Sequence, residues 1–156
     1  MGVLVLEAIG LFLVGLLAGE ELIVRYGVQP ALRTLPDRPH IQARQALVRR
    51  MRVVVPLLLV PAVLVGIAVL AVAGGGDGVA WRWAGVGALV AFVLFSALGT
   101  VPLNIQVNDW QVDDPPADWL RTVRRWEQID VFRSGAAVVA FACFLVAIAV
   151  QVPSGS

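Results

Sequence analysis

The sequence predicts an all-α protein: a single membrane domain built as a four-helix transmembrane bundle with up-down topology. Of the 156 residues, 59% are hydrophobic and 15% are charged, and the mean hydropathy is +0.84. Soluble domains have about one half apolar and about one quarter charged residues, so this chain lies well outside their range. Four apolar runs are each long enough to cross a hydrocarbon core of about 30 Å, and they predict helices near residues 3–24, 53–73, 81–103 and 119–151.

The first apolar run is interrupted only by Glu7 and by the pair Glu20 and Glu21. It has no basic N-terminal region and no Ala-x-Ala cleavage site, so we expect a retained helix rather than a signal peptide. Gly15 and Gly19 have a spacing that lets another helix approach closely. We expect these glycines to pack inside the bundle, and an oligomer formed through them is the alternative.

The second run contains Pro56 and Pro61 and ends at the glycine-rich turn of residues 74–78. Bundled membrane helices tolerate proline because neighbouring groups satisfy the freed carbonyls, so we expect a kink here. The third run carries polar residues at every fourth position towards its end, which predicts one polar stripe on that helix: Ser96, Thr100, Asn104 and Asn108.

The fourth helix is predicted to begin after Asp118, a plausible N-cap, and to be longer than the bilayer is thick. Its first turns should therefore extend from the membrane on the cytoplasmic side. Trp126, Asp130 and Arg133 follow one another at i, i+4 and i+7, so one helix face presents an aromatic ring, an acid and a base. That face is the best candidate for a site.

The twelve basic residues are all arginine, and their distribution predicts the orientation. Seven lie in residues 25–52, four lie in residues 121–133, and only Arg82 lies on the opposite side. By the positive-inside rule, both termini should face outwards from a multi-pass protein of the bacterial plasma membrane. The arginines of residues 25–52 fit anionic lipid headgroups better than nucleic acid, because the segment is short and flanked by membrane spans.

Thiol, haem and histidine-based metal chemistry are disfavoured by the residues available. The single cysteine, Cys143, lies within an apolar run and has no partner, and the single histidine, His40, lies in a polar segment. We therefore predict no metal and no cofactor.

Polar residues of all four helices should meet at one depth. About 20 residues inward from each outer end lie Glu20 and Glu21, residues 49–52, residues 100–104 and residues 130–133. Ionisable groups at membrane depth are costly unless they are paired or hydrated, so we expect Glu20 or Glu21, Asp130 and Arg133 to pair. Two interpretations remain open: an ion-pair network that fixes packing, and a ligand site at the cytoplasmic mouth.

At these positions the sequence resembles the anthrone oxygenase-like family of membrane proteins. The resemblance covers nearly the whole chain, and it depends on the order of the following features: Glu21, Pro30-Ala31-Leu32, Val101-Pro102-Leu103-Asn104, Trp119, Arg125-Trp126-Glu127, Asp130 and Arg133. In that family a histidine often stands where this chain has Asp130, which exchanges a group that titrates near neutrality for one that is normally ionised.

The resemblance implies cofactor-free oxygenation of an anthrone or a similar phenolic polycycle to a quinone. Asp130, or else Glu20, would act as the base, and Arg133 and Asn104 would hold the developing oxyanion. Trp126 would pack against the aromatic ligand. The remaining ligand-binding candidates are Glu21, Thr100 and Glu127.

Two other classes of function compete with an enzyme. One is a structural or accessory membrane protein whose polar cluster only stabilises the bundle. The other is a small-molecule binder or transport component, which is disfavoured because the chain shows no duplicated halves. A cavity of at least about 300 Å³ at the cytoplasmic mouth would favour an enzyme or a binder.

Overall fold

The computed structural model describes residues 2–151 as four long helices. They are α1 (Gly2–Arg33), α2 (Asp37–Val72), α3 (Val79–Asn108) and α4 (Trp119–Ala149). All four are long and apolar enough to cross a membrane, and residues 2–151 contain no β-strand. The predicted all-α fold of four transmembrane helices is thus confirmed.

Helices α1 and α2 are longer than the sequence predicted. The predicted bounds left residues 25–52 outside the membrane helices, but α1 continues to Arg33 and α2 begins at Asp37, so that only residues 34–36 separate them. The polar residues of this region are therefore helical. They extend the bundle beyond the apolar layer, because helices of this length exceed the thickness of a hydrocarbon core of about 30 Å.

Two prolines are accommodated by π-helical turns rather than by helix ends. Val24–Val28 forms such a turn shortly before Pro30, and Phe95–Thr100 forms another shortly before Pro102. In both, the first backbone N–H after the turn donates to the carbonyl five residues earlier. Proline lacks an N–H and crowds the carbonyl four residues before it, so a wider turn at that point lets the helix continue.

The apolar core lies in the middle of the bundle, where side chains from all four helices interdigitate. Its fully buried members include Val14, Leu17, Leu89 and Phe92. A Cβ on Gly15 would lie 3.1 Å from the ring of Phe141, so this glycine is used for packing within the bundle. Around Gly19 there is open space, and an oligomer through that face stays a prediction.

One buried ion pair closes the end of the bundle that holds the glycine-rich turn. Arg82 Nε donates to Glu7 Oε1 at 2.7 Å, and Gln151 Nε2 donates to the same oxygen at 3.1 Å. Glu7 and Arg82 are both buried. The pair joins α1 to α3, and Gln151 adds the segment that follows α4. We call the opposite end, where the arginine-rich residues lie, the polar end.

Candidate functional site

The polar end contains a group of buried polar side chains from α1 and α4, which we call the buried charge cluster. Its members are Glu20, Glu21, Gln29, Asp130 and Arg133. As whole residues, Glu21 and Asp130 are 0% exposed and Arg133 is 5% exposed. Charges at membrane depth are stable only when they are paired or hydrated, so the contacts of each member determine what the cluster can do.

Arg133 binds two carboxylates at once. Its Nη2 lies 2.8 Å from Glu21 Oε1, and its Nε donates to Glu21 Oε2 at 3.1 Å, which makes a two-point contact between α4 and α1. The same Nη2 lies 3.2 Å from Asp130 Oδ1. The guanidinium also lies over the ring of Phe92, with 5.4 Å between its carbon and the ring centroid. Arg133 therefore joins α1, α3 and α4.

The carboxylates of Asp130 and Glu20 have different surroundings. Asp130 Oδ2 accepts a hydrogen bond of 2.8 Å from Gln29 Nε2, whereas Oδ1 lies 3.2 Å from Arg133 Nη2 in an ion pair and accepts no hydrogen bond from residues 2–151. Both carboxylate oxygens of Glu20 are shielded from solvent and have no hydrogen-bond partner in residues 2–151. The charged neighbours of Glu20 are Arg133, Glu21 and Asp130. Two carboxylates thus contact the guanidinium of Arg133, and Glu20 lies near it without a hydrogen bond or an ion pair in residues 2–151.

A second group of polar side chains surrounds Arg44 nearer the outside of the polar end. Arg44 is 1% exposed, and its guanidinium carbon lies 5.2 Å from the ring centroid of Trp126. Its Nη2 lies 3.5 Å from Glu127, whose other oxygen is 2.6 Å from Arg33. Arg44 Nε donates to His40 Nε2 at 3.4 Å. These contacts fasten α2 to α1 and α4.

Trp126 fixes the orientation of Asn104. The indole Nε1 donates to Asn104 Oδ1 at 2.8 Å. An indole N–H can only donate, so the atom that it meets must be the amide oxygen, and the amide Nδ2 is left to donate elsewhere. Trp126 itself is buried between Arg44 and Asn104 and does not line the cavity described next.

A cavity of about 170 Å³ lies between α2 and α3, next to Arg133. Ser96, Thr100, Asn104 and Arg133 form its polar wall. The hydroxyls of Ser96 and Thr100 are shielded from solvent and find no hydrogen-bond partner within residues 2–151. The cavity is smaller than the roughly 300 Å³ expected of a pocket for a drug-sized ligand. A more open groove of about 450 Å³ lies farther out, lined by Gln29, Arg33 and Glu127 among others.

The structure brings most of the predicted site residues together, in two groups. Glu20, Glu21, Asp130 and Arg133 lie in the buried charge cluster, whereas Thr100 and Asn104 share the cavity with Arg133. Glu127 lies apart from them, with Arg33 and Arg44. Within residues 2–151 there is no group of three or more histidine, cysteine, aspartate or glutamate residues that could hold a metal ion.

The sequence reasoning missed Gln29, Arg25 and Arg44. Arg25 Nη1 donates to Ser134 Oγ at 2.8 Å, beside the buried charge cluster. A signal for two of these residues existed: Glu21, Arg25, Gln29 and Arg33 recur at every fourth position, as the polar residues of α3 do. The signal is easy to miss, because Pro30 interrupts this pattern and a proline usually breaks or kinks a helix.

Fold and site together define a multi-pass membrane protein whose four helices enclose an ion-pair network at one end of the bundle. The family model described as Anthrone oxygenase matches residues 45–143, which is more than half of the chain. The chain belongs to this family. The matched region includes Asp130, Arg133, Asn104 and Thr100, whereas α1 lies before it. No curated protein and no solved structure matches the chain significantly.

Proposed function

We propose that this protein catalyses the cofactor-free oxygenation of an anthrone, or of a similar phenolic polycycle, to a quinone at the polar end of the bundle. The observation that carries the proposal is the position of Arg133, which contacts buried carboxylates and also lines a cavity with hydrogen-bond donors. Arg133 thus links the cavity to the buried charge cluster from which the base is drawn, although the carboxylates of residues 2–151 do not line the cavity themselves. Membership in the anthrone oxygenase family supports the same chemistry.

The reaction needs little from the protein beyond proton transfer and charge stabilisation. A base removes a proton from the methylene carbon of the anthrone, and the negative charge moves onto the ring oxygen. Dioxygen oxidises this anion, a C–O bond forms at the same carbon, and loss of one water leaves the quinone. One dioxygen is consumed for each quinone and water produced. Donors that hold the oxyanion lower the barrier of the first step.

The contacts favour Glu20 as the base over Asp130. Asp130 is held by Gln29 and Arg133, which stabilise its charged form. Glu20 has neither contact and can accept a proton without breaking a hydrogen bond. Arg133 and the amide Nδ2 of Asn104 would hold the oxyanion, and Trp126 would act by orienting Asn104.

A structural role is the second candidate, and two observations favour it. Within the buried charge cluster Arg133 of α4 pairs with Glu21 of α1 and with Asp130 of its own helix, as expected of a network that fixes helix packing. The cavity is also smaller than a polycyclic ligand requires, unless α2 and α3 separate.

The direct test is turnover by the purified protein in lipid nanodiscs. Anthrone should be converted to anthraquinone with equimolar consumption of dioxygen, and the initial rate should exceed that of empty nanodiscs. Chelators should leave the rate unchanged if no metal takes part. A rate equal to that of empty nanodiscs, for anthrone and for its hydroxylated analogues, would favour the structural role.

The polar end is proposed to face the cytoplasm of a bacterium, with both termini outside. This rests on the eleven arginines at the polar end against Arg82 at the other. With Cys143 changed to serine, a cysteine replacing Asp77 should react with a membrane-impermeant maleimide in intact cells. A cysteine replacing Arg38 should react only after permeabilisation. Labelling of position 38 in intact cells would reverse the orientation.

A further inference from the structure

The cavity between α2 and α3 has two chemically different walls. Residues of α2 supply a mostly apolar wall, formed by Met51, Val55, Pro56 and Leu59, and the exposed Arg52 lines the cavity beside them. Its polar wall consists of the hydroxyls of Ser96 and Thr100, the amide of Asn104 and the guanidinium of Arg133. Among residues 2–151, no carboxylate lines it. A ligand that fits both walls has an apolar body and an oxygen that accepts hydrogen bonds.

The donors of the polar wall are available for a ligand. Thr100 is 1% exposed, and its hydroxyl has no partner in the part of the chain that the structure describes. A buried polar group without a partner costs about 1–3 kcal/mol, so a ligand oxygen that meets it gains binding energy. Asn104 offers Nδ2 because Trp126 occupies its oxygen. The closest contacts of Arg133 with carboxylates use Nε and Nη2, so Nη1 is the nitrogen that can donate to a ligand.

The cavity opens towards the lipid-facing surface of the bundle. Val101 lines it and is 48% exposed, and Pro56 lines it from the other side and is exposed as well. We call this opening the rim. The surface around it is mostly apolar, with the exposed Arg52 as the charged exception: Leu57 on α2 and Leu98 on α3 are among the most exposed hydrophobic residues. At the depth of membrane-spanning helices, such a surface contacts lipid rather than water.

We infer that the α2–α3 cavity binds a planar phenol or quinone that reaches it sideways from the bilayer, through the gap between Pro56 and Val101. The chemistry of the ligand rests on the proposed function, whereas the route rests on the position of the rim. The ring lies against the apolar wall of α2 and its oxygen lies against Thr100, Asn104 and Arg133. A cavity of about 170 Å³ holds only part of a three-ring compound, and the remainder lies in the gap, in contact with lipid.

The test measures binding of 1,8-dihydroxyanthraquinone to the protein in phosphatidylcholine nanodiscs by difference absorbance. Val101→Trp places an indole in the gap and should weaken binding at least about tenfold. Leu98→Trp is the matched control, since Leu98 is 77% exposed on the same helix and does not line the cavity. The affinity of this variant for the dye should stay within about twofold of that of the parent. Thr100→Val, which removes only the hydroxyl, should weaken binding about tenfold.

Three outcomes would overturn the inference. The first is parental affinity in both Val101→Trp and Thr100→Val. The second is equal loss in Val101→Trp and Leu98→Trp, which would indicate a general effect of the added indole. The third is full displacement of the dye by an equimolar amount of oleate, which would identify a fatty-acid site instead.

Binding and turnover separate this inference from the proposed function. If the dye binds with the expected dependence on Val101 and Thr100 but anthrone is not oxidised, the proposed enzymatic function is refuted and the binding site is supported. If the Val101→Trp variant oxidises anthrone at the parental rate, the enzymatic function is supported and the lateral route is refuted.

Discussion

Replacing Arg133 with methionine should lower the free energy of unfolding by about 3–5 kcal/mol, the cost of breaking a buried ion pair by removing one partner. Methionine fills a similar volume but leaves Glu21 and Asp130 without their shared guanidinium. Chemical denaturation in a mild detergent, followed by circular dichroism, measures the change. Arg124→Gln is the control: Arg124 is exposed and makes no ion pair with any residue from 2 to 151, so its substitution should stay within about 0.5 kcal/mol.

A double substitution separates the ion pair from general effects of packing. Glu21→Gln combined with Arg133→Met removes both members of the two-point contact, so it should destabilise less than the sum of the two single changes. Additive effects would indicate that Glu21 and Arg133 contribute independently. Arg133→Met with parental stability would mean that this contact does not hold α1 against α4.

Replacing Glu20 with glutamine should slow anthrone oxidation by about 10²–10⁴-fold, the usual contribution of a general base. Stability should hardly change, because Glu20 has no hydrogen-bond partner to lose. Asp130→Asn is the matched comparison, since it removes a charge that Arg133 contacts and should therefore destabilise the fold. Turnover in nanodiscs and unfolding in detergent, measured on the same preparations, distinguish the two roles.

The reverse pattern would reassign the base. If Asp130→Asn is as stable as the parent but inactive, and Glu20→Gln keeps the parental rate, Asp130 is the proton acceptor and Glu20 is not. If both variants oxidise anthrone at the parental rate, neither carboxylate acts as the base and the proposed mechanism fails.

The sequence predicted the four helices because each apolar run alone is long enough to cross a bilayer. It also placed Trp126, Asp130 and Arg133 on one face, and all three are buried. Helical periodicity suffices for such a prediction, because a charged residue in a membrane helix turns towards other helices rather than towards lipid.

Partners that depend on the rotation of one helix against another could not be predicted. Gln29 meets Asp130 only because α1 continues through its π-helical turn past Pro30, and a proline in a sequence does not reveal such a turn. Arg44 was expected at the lipid surface with the other arginines of its segment. It is buried because Trp126 and Glu127 lie against it, a contact that requires the tertiary arrangement.

Helix α2 is held in a different way from its neighbours. Its hydrogen bonds and ion pairs to other parts of the described chain come from Arg38, Arg44 and Gln45, all near its start. Residues 46–72 make none, while α1 is tied by charges at both ends of the bundle. The two prolines of this stretch each remove a backbone hydrogen bond. The apolar length of α2 is therefore held by apolar packing alone, so a separation of α2 from α3 near Pro56 would cost apolar contacts but would break no ion pair.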